Sequence, residues 1–208
     1  LTAIGDVMRE AYKRGWITTR DGNCSVRMIN RPYLYITPSG WRKTIIHPEQ
    51  LVKIKIKDED LQLTPEMNPS GELWTHWFLL KNRKKTMSVL HLHPTYTVAA
   101  MYAGYDLSQI IMDFPEVYRY TKVGPNVPPV QATSLELAEK TYEKICTDLT
   151  CKRKYDIVGQ EQHGVCAIAK NPWDAFEHIE RLEHICQIVL ASGNHLKPMS
   201  FPSWLKGT

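Results

Sequence analysis

The run Ser88-Val-Leu-His-Leu-His-Pro-Thr-Tyr96 constrains the fold more than any other stretch of this 208-residue chain. It is short and apolar, and Pro94 closes it, so residues 87–92 are predicted to form a strand. Side chains alternate across a strand, which sends Leu90 and Leu92 to one face and His91 and His93 to the other. The sheet that holds this strand must bury the leucine face and accept two imidazoles aimed at one point on the opposite face. Two readings of the pair stand side by side. They are metal ligands waiting for a third, or rim histidines hydrogen-bonded to backbone.

The surrounding pattern is mixed α/β without the regular alternation of a doubly wound parallel sheet. Ile4, Val7, Met8 and Tyr12 recur at helical spacing, with Gly15 as the stop. Strands are predicted over 24–28 and 33–37 around an Asn30-Arg31-Pro32 turn, and over 51–56 before a charged turn at 57–60. Ser70 opens a helix with Leu73, Trp74, Trp77, Phe78 and Leu80 on a broad apolar stripe, and Pro94 opens another that runs to Met101. Prolines and Gly124 break 104–133, a length of loop that usually shapes a site or an interface. Ser134 caps a helix through Cys146, a strand pair is expected at 155–159 and 165–169, and Asn171-Pro172 starts the last helix.

Composition excludes more than it selects. With 43% hydrophobic and 23% charged residues the chain has the balance of one soluble globular domain, expected to span 1–208. The net charge of +4 is scattered, and its densest run, Lys81-Asn-Arg-Lys-Lys85, suits the cationic end of a helix better than a nucleic-acid surface. No apolar run reaches membrane-spanning length. Five cysteines, an odd number without CxxC spacing, support neither a disulfide framework nor a zinc ribbon. A reducing cytoplasm is the expected setting.

A third ligand has to come from elsewhere in the chain. His178 and His184 lie on the last helix and read as packing or surface residues. His47 sits in a turn and His195 in a polar tail, while nothing selects His76. His163 differs, because it stands in Glu161-Gln-His-Gly164 immediately before an apolar strand, and Gly164 permits a close backbone approach. Glu72, in Pro69-Ser-Gly-Glu72, has two readings. It is a first-turn acid favoured by the helix dipole, or a group facing substrate beside the anion-receptive amides of Ser70 and Gly71.

Five segments, GNCSVR (22–27), ITPSG (36–40), PSGE (69–72), HLH (91–93) and QHG (162–164), together resemble the class II aldolase/adducin family, in family order and across most of the chain. The resemblance implies a three-layer α/β/α sandwich around a mostly antiparallel central sheet. It implies His91, His93 and His163 as ligands of a divalent metal, Zn2+ first, with Mn2+, Co2+ or Fe2+ as alternatives. It implies Glu72 as catalytic acid/base and Gly22, Asn23, Ser39, Gly40, Ser70 and Gly71 as the cradle of a substrate phosphate. It also implies a homotetramer with the active site at a subunit boundary. The family's aldolases take a tyrosine from the middle segment as proton donor, for which Tyr118 is the candidate and Tyr120 the neighbour. They often carry two serines before the glutamate. Here the second is Gly71, which keeps an amide and loses a hydroxyl.

Three neutral imidazoles would leave a divalent ion its full charge and an open position, the hallmark of a catalytic site. Such an ion polarises a carbonyl and stabilises an enediolate, with Glu72 moving the proton. The expected activity is therefore a metal-dependent aldolase-type lyase on a small sugar phosphate or related hydroxy-keto acid. Epimerisation or decarboxylation would use the same anion. An adducin-head-like binding domain is the non-catalytic alternative. A cupin would place a glutamate soon after the histidine pair, where Pro94-Thr-Tyr-Thr97 has none, and an amidohydrolase-type barrel would need about 250 residues.

Overall fold

The computed structural model describes residues 1–56, 68–82, 86–146 and 155–193. The charged turn at 57–60, the last three residues of the cationic run, Cys151 and His195 lie outside them. Six strands form one sheet: β1 (Asn23–Arg27), β2 (Tyr33–Ile36), β3 (Val52–Lys55), β4 (Ser88–Leu92), β5 (Ile157–Gln160) and β6 (Gly164–Ala169). Their order is β3-β2-β1-β4-β6-β5, and every neighbouring pair is antiparallel. Parallel pairing enters only as isolated bridges, Val123 to Ile157 and Val127 to Gln160, which cover the outer edge of β5 and so remove an open template for strand addition.

Helices cover both faces. On one side α1 (Thr2–Lys13), α3 (Thr95–Tyr102), α4 (Leu107–Ile110) and α7 (Pro172–Ser192) pack with Leu90, Leu92, Val165 and Ala167 of the sheet. On the other side α2 (Leu73–Asn82) and α6 (Leu135–Ile145) pack with Leu34, Ile36, Val89, Cys166 and Ile168. This is the expected three-layer sandwich. The alternation in β4 is what divides it, since Leu90 and Leu92 feed the first core and Val89 the second. His91, two residues after Val89, shares that second face.

Local chemistry explains where the elements begin and end. Helix α1 buries Ile4, Val7, Met8 and Ala11 and stops in a Schellman turn. There Gly15 N donates to Tyr12 O at 3.0 Å and Trp16 N to Ala11 O at 3.0 Å. That turn also turns Trp16 O toward β4, where it accepts from His93 N at 3.0 Å. Ser134 Oγ accepts from Leu137 N at 3.0 Å to start α6, and Asn171 Oδ1 accepts from Asp174 N at 2.9 Å to start α7. Within 104–133, α4 and α5 (Pro115–Tyr120) are helices of four and six residues. Neither is long enough to repeat an apolar period. Cys24, Cys166 and Cys186 are buried free thiols, and Cys146, which caps α6, is disulfide-bonded. Among the described residues no helix is long and apolar enough to cross a membrane.

Helix α3 starts directly after His93 and is held by a buried carboxylate from α7. Glu183 is 5% exposed and accepts from Tyr96 N at 2.9 Å, Thr97 N at 2.7 Å and Thr97 Oγ1 at 2.7 Å. The two amides are orphan donors of a helix N-terminus, where an anion also suits the dipole. Glu183→Ala leaves them buried without acceptors and is expected to cost roughly 2–4 kcal/mol of stability, read as the shift of the urea midpoint. A midpoint unchanged from the parent would show that α3 needs no such anchor.

Candidate active site

Residues from six separate segments converge at the end of β4. His91 and His93 bring their Nε2 atoms to 2.8 Å of each other. His163 lies beside both, its ring centroid 4.6 Å from His91 and 5.2 Å from His93. One ligand nitrogen from each ring falls within 4.8 Å of the others, a grouping able to hold a metal ion.

The β5–β6 loop delivers His163. It spans three residues, with Gln162 in the left-handed region at φ 59° and His163 N donating to Gln160 O at 3.0 Å. Gly164 then passes so close to β4 that a Cβ there would lie 2.5 Å from Leu92 O and 2.6 Å from His93 Cδ2. Only glycine lets the loop seat the third imidazole against the pair.

The donor set fits a metal. His91 Nδ1 stands 3.0 Å from Val165 O; a carbonyl only accepts, so Nδ1 carries the hydrogen and Nε2 presents its lone pair. His163 Nδ1 is buried with no hydrogen-bond partner. Burial lowers the pKa of His91 well below the ordinary range, with the neighbouring rings His93 and His163 adding to it, and burial lowers His93 to about 4. Neutral imidazoles are the ligand form.

Glu72 faces the same space. It is 6% exposed; Oε1 accepts from Thr133 N at 2.9 Å, whereas Oε2 is buried without a partner. Burial raises its pKa, opposed by the nearby His163. The cavity in front of these groups has a volume of about 250 Å³, and its wall includes Gly22, Asn23, Ser39, Gly40, Ser70 and Gly71 as well as the histidines and Glu72. Every nominated cradle residue is therefore present, although two expected donors are not free. Ser70 N donates to Thr37 O at 3.0 Å and Ser39 N to Asn68 O at 2.9 Å. With the bridge between Pro38 and Pro69, these bonds lace the two Pro-Ser-Gly turns together.

Arg20, Asp21, Lys43 and Thr133 also line the cavity and had no signal in the sequence. Thr133 is a β-branched residue at φ 64°, a rare and strained state, held where its amide meets Glu72. Gly71 makes room for it, because a Cβ at 71 would lie 2.9 Å from Thr133 Cγ2. Gly71→Ser is expected to lower stability by roughly 1–3 kcal/mol through this collision, and Thr133→Gly in the same chain to recover the loss. Urea unfolding of the single and double variants reads both, and equal midpoints for parent and Gly71→Ser would refute the steric account.

Tyr118 is not in the cavity wall. It packs against the core on the other face of the sheet, with Lys122 Nζ 3.6 Å from its ring centroid. Tyr120 is 55% exposed and is likewise absent from the cavity wall. The reason is topological, since α5 belongs to the helix layer opposite the imidazoles. Within one chain neither tyrosine lines the cavity.

His76 proves to be a support beneath the cavity. It is fully buried, with Nδ1 2.7 Å from Ser25 Oγ and Nε2 bonded to Asn23 Oδ1. This contact turns the Asn23 amide nitrogen away from the ring. Burial lowers the His76 pKa to about 3. An unfolded histidine takes its proton near its ordinary value of 6.5 while the folded one refuses it down to about 3, so stability falls as pH drops below 6.5. The expected slope from this group is about 1.4 kcal/mol per pH unit. His76→Gln should remove one proton from the measured pH dependence of the urea midpoint, and an undiminished slope would contradict this.

Comparison with known proteins places this geometry. The model of the class II aldolase and adducin N-terminal domain matches residues 2–190. A probable methylthioribulose-1-phosphate dehydratase of Drosophila willistoni is 35% identical over 99 residues, 47% of this chain and 42% of that relative; the match thus spans less than half of its length. An L-fuculose phosphate aldolase of Methanococcus maripaludis is 26% identical over 188 residues, 90% of this chain and 94% of that one. Among solved structures, the Escherichia coli protein YgbL, described as a putative aldolase/epimerase/decarboxylase, superposes with a TM-score of 0.79 at 22% identity, covering 95% of this chain and 91% of that one. An L-fuculose 1-phosphate aldolase superposes at 0.77 and 20% identity, covering 97% and 90%. At such identities the structures speak for the fold.

Proposed function

The chain belongs to the class II aldolase and adducin family, and on that premise we propose that it is a divalent-metal-dependent lyase that opens a carbon–carbon bond in a small sugar phosphate or related hydroxy-keto acid. The observation that carries the reading is the convergence of three imidazoles and a buried carboxylate with an unpartnered oxygen on one cavity. An adducin-like binding role would give no reason to keep such a costly group of desolvated polar atoms.

His91, His93 and His163 hold the ion, zinc first by its preference for nitrogen ligands. When bound, it supplies a Lewis acid that polarises a carbonyl and stabilises negative charge developing beside it. Glu72 moves the proton. Its Oε1 is fixed by the Thr133 amide, which leaves Oε2 to face the substrate carbon or hydroxyl beside the bond that breaks. Burial raises the Glu72 pKa, so the base form and the rate are lost as pH falls through that raised value. Asn23, oriented by His76, offers an amide N–H to the substrate. We place the working unit in a tetramer, with Tyr118 donating a proton to the site of a neighbouring copy.

A second reading, dehydration of a ketose phosphate, is favoured by the 35% match to a probable dehydratase. It begins with the same proton transfer. Metal-replete protein offered a panel of ketose phosphates and oxidised tetronate phosphates separates the two by product mass, since cleavage gives two fragments and dehydration one product lighter by water. His91→Ala and His163→Ala are expected to lose both metal content and turnover. Glu72→Gln should keep the metal and lose proton exchange at substrate carbon by about 10²–10⁴-fold. Loss of metal in the glutamine variant would make Glu72 a ligand rather than a base, and full activity in His163→Ala would end the proposal.

A further inference from the structure

The cavity contains a cation that the proposed chemistry has not used. Lys43 lies in the turn that follows the first Pro-Ser-Gly segment, with its backbone N donating to Thr19 O at 2.8 Å. Its side chain lines the cavity, and the residue is only 2% exposed. The ammonium has poor company for so buried a charge. Its contacts are two carbonyls, Trp41 O at 3.3 Å and Pro38 O at 3.5 Å, both beyond the usual range of an N–H···O bond. Among the ion pairs of the described residues none includes it. Asp21, on the same wall, favours its charged form from a distance, but desolvation outweighs that help and lowers the Lys43 pKa. A buried cation without a partner is costly to keep, which points to a partner that arrives from solution.

The remainder of the cradle shows why one is wanted. Ser39 N and Ser70 N already donate to Asn68 O and Thr37 O, and Glu72 N is bonded to Ser70 Oγ at 3.3 Å. Position 71 has no hydroxyl. The Ser39, Ser70 and Glu72 amides are thus engaged, while the Lys43 ammonium and exposed Arg20 line the same cavity.

We propose that Lys43 is the principal anion receptor of this cavity, binding the oxyanion end of the substrate, a phosphate monoester or a carboxylate, as a desolvated ion pair. The imidazoles and Glu72 then mark the reacting end and Lys43 the anchoring end. The inference deepens the reading of the preceding subsection, because the anion is the far end of the same substrate. Anion binding, however, requires neither metal nor turnover, so the two can fail separately.

Inorganic phosphate and acetate are the probes, titrated by calorimetry into the full chain with and without added zinc. The parent is expected to bind phosphate whether or not zinc is present, and Lys43→Met to weaken it on the order of 30-fold or more. Lys43→Arg, which keeps the charge, should retain most of the affinity. Preference for acetate would assign a carboxylate end, and preference for phosphate an ester; either upholds the receptor. A second measurement needs no variant. Phosphate should slow acylation of the Lys43 amine in the parent protein, read by peptide mass. Phosphate affinity equal in Lys43→Met and parent, no phosphate binding by the parent, or acylation of Lys43 indifferent to phosphate would each overturn the proposal. Loss of phosphate affinity in Lys43→Met by a protein that takes up no zinc would uphold it while sinking the lyase reading.

Discussion

The pairing of β4 with β6 puts Leu92 opposite Val165 and His91 opposite Cys166, and this register brings the histidine pair against the loop that carries His163. More than seventy residues separate the two strands along the chain, yet loop-closure entropy grows only slowly with that length. The alternation of side chains makes the register hard to shift. A slip of one residue in β4 would drive two imidazoles into the core lined by α1, α3 and α7 and expose Leu90 and Leu92 on the cavity side. The leucines therefore protect the geometry of the histidine cluster without touching it. His91 Nδ1 adds a direct tie to the carbonyl of Val165, so strand pairing and ring orientation are fixed together.

Desolvation then sets the chemical character of the cavity. The same burial that keeps His91 and His93 neutral makes Glu72 a stronger base than an exposed carboxylate. Both effects come from one cause, the exclusion of water by packed helices on either side of the sheet. In the same cavity the same exclusion lowers the pKa of Lys43 and disfavours its charge. One small cavity is thus lined by a carboxylate, three imidazoles and a cation, an uneven distribution of charge within a single wall.

The parts legible in the sequence were those in which one residue type repeats at the period of its element. The HLH alternation, the apolar stripe of α7 and the capping residues Ser134 and Asn171 each carry their own geometry. His163 was recognisable because glycine followed it before an apolar strand. The short helices of 104–133 were not, since four or six residues cannot display a period. Lys43, Thr133 and His76 were opaque for another reason. Their parts depend on what tertiary structure sets beside them: a cavity wall, a carboxylate from the turn before α2, an asparagine on a strand. Tyr118 shows the limit from the other side, because the sequence does not tell which face of the sheet its short helix joins.

A backbone amide can serve structure or ligand, not both at once. The turns Thr37-Pro-Ser-Gly40 and Asn68-Pro-Ser-Gly71 exchange amides with each other, and that lacing is what holds the start of α2, and hence Glu72, at a fixed distance from the imidazoles. The cost falls on anion binding, which loses those donors. Gly71 removes a further hydroxyl, but its missing side chain admits Thr133, whose amide fixes Glu72. The chain has thus given backbone amides to the placement of Glu72. On the proposed reading the Lys43 ammonium makes up for those amides, because a charged donor bonds an oxyanion more strongly than a neutral one.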